Sequence, residues 1–487
     1  MKNLYDIATR LNALSEDKQI QFRQVLAQKG IDSWALPIVA TPNTDNTPQP
    51  LSAAQQRLWF IDRYEQGSSL YNLCSVLRLR GVLDLEKLQQ ALAVILQRHE
   101  VLRSVYGEQD GLAFQTIRDA DTFTFKVESL EDELGFQQNF DQWLATCYRQ
   151  AQQQIFDLST ELPFRANLIR IADDDHLLVF TVHHIAFDAW SQEAIIRELS
   201  LLYASSLEQM HSALAPLPVQ YRDYARWQKQ WLAGDDYQKQ LDYWCEKLAK
   251  APECLSLPLD KPRRQRNEQR HLGREIRLPL SADLSEQLRV QAKAHNVSIY
   301  QYLLTVFTLV LHYYSDSDDI VIGTSVANRQ RPELEALAGL FVNTLVLRTQ
   351  LSAQMNFAEL LSAVSKTSQE AVSHQDIPFD HLLDALDVAR SDTHSPLFQV
   401  LFVYLNMPDQ QALALGDLRV DILPYNQQQA RFDLSLRVEE QASDGLCLCM
   451  EYDTDLFYAS TIEQMLSDYH LLCVRLCARL CAVALPG

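Results

Sequence analysis

Glycine and proline are scarce in this chain, 13 and 17 among 487 residues. That excludes collagen-like and low-complexity classes. Long apolar runs are missing too. The longest, 303–311, is broken by Thr305 and Thr308 and reaches about half of the ~20 residues a bilayer span needs. The opening MKNLYDIATRLNALSEDKQ lacks the apolar stretch of a secretory signal. Basic residues are outnumbered: 43 Lys and Arg face 63 Asp and Glu, a net charge of −20. Such a surface fits neither nucleic acid, which needs a basic stripe, nor an anionic membrane. No Walker A, GxGxxG, GxSxG or HExxH pattern occurs, so no nucleotide site, nucleophile elbow or zinc-protease helix is indicated. Nine cysteines are present without a CxxC pair. Cys473, Cys477 and Cys481 recur at helical spacing and read as a buried stripe on a last helix rather than a metal site. Neither a disulfide framework nor a metal is expected, and a cytoplasmic protein follows by elimination.

What is present is ordinary globular composition, 47% apolar and 22% charged. The length suits about three domains or two large lobes. Residues 1–33 read as two short helices, with stripes Leu4, Ile7, Ala8, Leu11 and Ile20, Phe22, Val25, Leu26, and Gly30 as a stop. The Pro-, Asn- and Thr-rich run from Thr41 to Pro50 is a linker signal. Residues 1–46 are therefore an appendage, either a docking segment for a partner or a strap on the main body. Residues 47–257 form an N-terminal lobe and 258–487 a C-terminal lobe, divided at the polar, Pro-punctuated stretch 258–271.

Within the first lobe, residues 51–63 look like a helix start that Ser52 can cap, and YNLCSVLRLRG reads as a strand. A helix follows from 84, with Leu85, Leu88, Leu92 and Ile95 on one face. HLLVFTVHH, residues 176–184, is a nearly continuous apolar strand of the kind buried on both faces. The next segment returns to helix, with Ile195, Leu199 and Leu202 inward. A Trp- and Tyr-rich helix covers about 219–250. The second half brings helices at 285–295, 299–315 and 356–374, strands at 319–328 and 397–406, late strands near 418–423, 432–439 and 446–452, and a closing helix from 461. Strands and helices alternate in both halves, so the fold class is α/β or α+β with two lobes.

The sharpest chemical feature is HHIAFDAW, from His183 to Trp190, where the buried strand meets a helix. Strand side chains alternate faces, so only one of the two histidines can point into a given cavity. A histidine with a carboxylate four residues on suits acid–base or hydrogen-bonding work near neutral pH. The alternative is a satisfied core histidine with Asp188 as a helix cap. A buried Asp188 needs a cation or several hydrogen bonds. Arg329, in VANR, is one candidate, bridging the lobes. No nucleophile accompanies the pair, so an enzyme here would position two supplied reactants and manage one proton.

The order of segments carries a resemblance. LSAAQQRLWFI (51–61), RHEVLRSVY (98–106), HHIAFDAWS (183–191), YRDYARW (221–227), IGTSVANR (322–329), GLFVNTLVLR (339–348) and HQDIPFDHL (374–382) follow one another. This series resembles the core motifs of condensation domains of nonribosomal peptide synthetases, over roughly residues 49–480. The resemblance implies two chloramphenicol acetyltransferase-like lobes set in a V, with a tunnel between them. It implies an upstream donor and a downstream acceptor carrier protein as partners, their substrates held on 4′-phosphopantetheine, with no permanently bound cofactor. An adenylation domain or a docking partner is a further implied neighbour. Its catalytic motif is His183, His184 and Asp188, with His184 at the centre as general base or positioner. The other two are structural, with Asp188 paired to Arg329. Trp190, Ser191, Arg103 and Asn343 are supporting residues. The family usually has glycine after the motif aspartate, where this chain has Ala189; a methyl there would narrow the acceptor side or be tolerated if the local φ is negative. PLFQVLFVYLN looks closer to domains joining two L-residues. Two other readings stay open: an acyltransferase using a free or CoA-bound substrate, and a non-catalytic recruitment domain. PRRQRNEQRH, 262–271, is either a carrier contact or a solvated loop.

Overall fold

The structure, a computed structural model, describes residues 2–42, 47–64, 67, 69–120, 123–129, 140–264, 272–388, 391, 393–405, 414–423, 430–441 and 445–478. Cys481, Asn406 and most of the basic run 262–271 lie outside them. The chain forms two compact units. The first joins residues 1–237 to two later segments, 327–341 and 413–425; the second holds 238–326, 342–412 and 426–487. A single division at 257/258 does not describe them, because the chain returns to the first unit twice.

The first unit is built on a six-stranded sheet in the order Ala414–Leu415, Leu418–Leu423, Asn72–Arg80, Asp175–His183, Phe164–Ala172, Phe125–Ser129. Asp175–His183 lies at its centre and pairs antiparallel with Asn72–Arg80, setting Asn72 opposite His183. Only Phe125–Ser129 runs parallel to its neighbour. The central strand is buried on both faces, which is why its sequence is apolar without alternation. One face, carrying Leu177 and Val179, is covered by helix Phe140–Gln153 through Leu144, Tyr148 and Ala151. A three-stranded sheet of Gln49–Pro50, Leu112–Ile117 and Ser104–Gln109 stands apart.

Helix Ala53–Tyr64 starts where Ser52 accepts from Gln55 N, and helix Leu85–Arg98 is capped by Asp84. Leu88, Leu92 and Ile95 are buried, but Leu85, the first helical residue, is exposed. The Trp- and Tyr-rich stretch is two helices, Tyr221–Trp231 and Asp235–Leu248, not one. Near the N-terminus, helices Lys2–Asn12 and Glu16–Gln28 form as expected. Gly30 follows at φ +72, the left-handed stop that glycine adopts without penalty. Ala8, Leu11 and Leu26 pack on Leu36 and Val39, while Leu4, Ile20 and Val25 stay exposed.

The second unit has its own six-stranded sheet: Asn343–Gln350, Asp319–Val326, Val400–Leu405, Leu434–Glu440, Leu446–Asp453, Gly273–Pro279. Val400–Leu405 runs parallel to both neighbours and the other pairs are antiparallel. Helix Ile299–Ser315 is buried along 301–311. Its two interrupting threonines donate to carbonyls one turn back, Thr305 to Gln301 O and Thr308 to Leu304 O, so they sit in the core without an unmet hydroxyl. Among the described residues no single helix is long and apolar enough to cross a membrane.

Candidate active site

The site begins where the central strand ends. His183 N donates to Pro163 O, and His184 N donates to Tyr71 O at 2.8 Å. The backbone then tightens into a 3-10 turn, His184–Ala186. Period-two alternation puts His183 on the same face as Leu177 and Val179, under the helix. Its ring lies beside Phe156 and Tyr71 and is 1% exposed. Its Nδ1 accepts from Ile185 N at 3.2 Å, which fixes the proton on Nε2. Burial, helped by His184, pulls its pKa down to about 3. His183 is therefore a neutral support for the turn, not a proton carrier.

His184 is half-buried. Its Nδ1 lies 2.5 Å from Phe187 O. A carbonyl only accepts, so Nδ1 carries the hydrogen and the basic lone pair of the neutral ring is on Nε2. The turn is held from outside as well: Gln55 Nε2, in the LSAAQQRLWFI segment, donates to Ile185 O at 3.3 Å.

Asp188 caps helix Ala189–Ala204. Its Oδ1 accepts from Ser191 N at 2.8 Å, and Ser191 Oγ lies 2.6 Å away. Arg329 Nη2 donates to both carboxylate oxygens, at 3.0 and 3.2 Å. Both side chains are almost wholly buried. Burial lowers the arginine pKa and the Asp188 charge opposes that; a guanidinium stays charged regardless. The other terminal nitrogen of Arg329 is engaged too, while its Nε is buried without a hydrogen-bond partner among the described residues. Nη1 donates to Leu334 O and Leu337 O, and the guanidinium carbon sits 4.1 Å from the Phe341 ring centre. Arg329 does not bridge the two units: it rides on segment 327–341, which belongs to the first.

That segment is gripped along its length. Phe341 N donates to Asp188 Oδ2. Gly339 places both N and O at 3.0 Å from Ser191 Oγ. Ala338 N donates to His99 Nδ1, and Leu340 O accepts from Tyr221 Oη. Trp190, itself exposed, reaches Glu335 O with Nε1. A Cβ at Gly339 would overlap the Tyr221 ring, so the glycine is required by close packing. His99, Gly339 and Tyr221 were not singled out by sequence reasoning, although each lies in a motif segment.

Ala189 is the first residue of its helix, is exposed, and has no positive φ. Its methyl strains nothing in the backbone. Arg103 acts at a distance from this cluster, donating to Leu96 O and Arg118 O. Asn343, in the second unit, donates from Nδ2 to Gln375 O and Ile377 O, which holds the HQDIPFD segment to the start of its strand.

Residues 46–478 match the condensation domain family. One of the linear gramicidin synthase subunits of Brevibacillus parabrevis is 39% identical over 444 residues, 89% of this chain and 6% of that protein. Phosphinothricin tripeptide synthetase PhsC of Streptomyces viridochromogenes is 37% identical over 465 residues, 94% of this chain and 42% of that protein. The chain thus spans less than half the length of either relative. Among solved structures, the X-domain from teicoplanin biosynthesis superposes with a TM-score of 0.79 at 26% identity, covering 91% of this chain and 97% of that one. The chain belongs to the condensation-domain family of nonribosomal peptide synthetases, acyltransferases that form amide bonds.

Proposed function

We propose that this domain joins a donor acyl or peptidyl thioester to the amine of an acceptor aminoacyl thioester, each on the phosphopantetheine arm of a carrier protein. The acceptor nitrogen attacks the donor carbonyl carbon; the C–N bond forms and the C–S bond breaks. His184 Nε2 takes the proton that the nitrogen loses and returns one to the departing donor thiolate. The single observation that carries this reading is the Nδ1–H···Phe187 O bond, which orients the ring and leaves Nε2 as its basic atom. Asp188 and Arg329 act behind it, fixing the backbone from which His184 projects. The adenylation domain of such a synthetase is a further partner under this reading, the residues joined are L-configured, and the cytoplasm is the compartment.

The test is acceptor choice. The same amino acid would be offered on a carrier protein, as a CoA thioester and free, with one loaded donor carrier. The reading expects transfer to the carrier-bound acceptor to be fastest. Equal or faster transfer to the free or CoA-bound amine would replace it with the free-substrate acyltransferase.

A further inference from the structure

Two residues after Arg329 stands a second engaged arginine. Arg331 Nη1 donates to Leu36 O at 2.8 Å, and Nη2 donates to Trp34 O. Its guanidinium lies 4.4 Å from the Trp227 ring centre. Both carbonyls belong to the N-terminal strap, residues 31–41, which has no strand or helix of its own. An arginine fork that satisfies two carbonyls and stacks on an indole cannot be matched by another cation. Glu333 makes the reciprocal contact: its Oε1 accepts from Ile38 N at 2.7 Å.

The strap is tied down further along. Arg23 lies 3.6 Å over Trp34, which meets Trp227 edge-on. Thr41 N donates to Asp223 Oδ1, and Thr41 O accepts from Arg222. Arg331 and Glu333 flank and enter the short turn Pro332–Leu334. That turn ends in Leu334 O, one of the two carbonyls that hold Arg329 Nη1. The connection is continuous: strap, Arg331 and Glu333, turn, Arg329, Asp188, and the backbone that carries His184.

We infer that the N-terminal strap is a positioning element of the active site, acting through Arg331 on the Arg329–Asp188 pair. A strap that merely covered apolar surface would need no paired contacts to the turn beside Arg329. Arg331 touches no reacting atom; it fixes the carbonyls among which Arg329 sits. The inference rests on the reading of His184 and Asp188 given above, so one arm of its test is independent of any reaction.

The variants are Arg331→Met, which keeps length and removes the donors, and Arg331→Lys, which keeps the charge and loses the fork. Each would be made in the native chain and in an Arg329→Lys background. Misplacing a catalytic framework by a fraction of an ångström costs on the order of 10-fold. Arg331→Met is therefore expected to lower kcat about 10-fold with KM nearly unchanged, with Arg331→Lys between it and the native chain. In the Arg329→Lys background the same change should add less than about twofold, because the group it positions has already been altered. Equal losses in both backgrounds, or an unchanged kcat in the native one, would overturn the inference. The independent arm is hydrogen exchange of the peptide containing Ala338, Gly339 and Phe341. Arg331→Met should speed its exchange about 10-fold while thermal melting shows the chain folded. If the native chain forms no amide at all, the functional reading fails and exchange alone decides: faster exchange supports positioning, unchanged exchange refutes it.

Discussion

Replacing Arg329 by methionine should be among the most damaging single changes to the first unit. The Asp188 side chain is 3% exposed and the Arg329 side chain 2%, so water cannot replace the lost charge. Removing one partner of a buried ion pair costs roughly 3–5 kcal/mol, because the other charge is left uncompensated. Leu334 O and Leu337 O lose donors in the same stroke. Against this, Ser191 N, Ser191 Oγ and Phe341 N still point at the carboxylate, which keeps the cost near the middle of that range. Asp188→Asn falls in the same range of about 3–5 kcal/mol: the amide oxygen still caps the helix, but the buried Arg329 charge is left uncompensated and an amide NH2 replaces an acceptor for Arg329 Nη2 and Phe341 N. The double variant Asp188→Asn/Arg329→Met should be more stable than the sum of the singles by about 1–3 kcal/mol. Urea unfolding followed by tryptophan fluorescence reads this directly, because six of the seven tryptophans lie in the first unit. A loss of ~4 kcal/mol lowers the midpoint by roughly 1–2 M. A shift under about 0.3 M for Arg329→Met, or strictly additive losses, would refute the argument that this pair is coupled in a dry site.

Other expectations follow from the same geometry. His183 holds its pKa at about 3 in the fold against an ordinary 6.5. Its contribution to stability is full above pH 6.5 and falls by up to about 1.4 kcal/mol per pH unit as acid protonates the unfolded chain first. His183→Asn should flatten that limb in a stability–pH series; an identical slope would contradict it. Gly339→Ala forces its Cβ into the Tyr221 ring and should cost about 1–3 kcal/mol in the same unfolding assay; a neutral result would mean that segment 327–341 is less tightly seated than described. Ala189→Gly should change the condensation rate by less than about threefold, because a helical φ gives glycine no advantage. A rise of 10-fold or more in steady-state assays would show that the methyl obstructs the acceptor.

The parts of the fold that were legible are those where one physical pattern dominates locally. The strand 175–183 announces itself because both of its faces are buried. Helix Ile299–Ser315 has a serine–glutamine capping box and an apolar body. Strand Gly273–Pro279 was missed because its charged residues Arg274, Glu275 and Arg277 leave it no apolar run, yet Glu275 and Arg277 are paired with Arg437 and Glu439 across the sheet. Strands Ser104–Gln109 and Asn343–Gln350 overlap segments read only as motifs, and Phe164–Ala172 was not read as a strand. The helix break at 232–234 escaped because Leu232 and Ala233 favour helix and one glycine ends it. At the site, alternation told that His183 and His184 part company, but not which one is buried. The return of segment 327–341 to the first unit had no local signal. It is set by hydrogen bonds between residues some 140 positions apart, and no window along the chain contains both partners.

Intact-protein mass spectrometry tests the central claim most directly. A loaded donor carrier and a loaded acceptor carrier would be incubated with the native chain and with His184→Ala, and the mass of each carrier followed in time. The account expects the donor acyl mass to move onto the acceptor carrier with the native chain and to move at least about 100-fold more slowly with His184→Ala. Equal transfer by the two proteins would contradict the assignment of His184 as the residue that manages the proton.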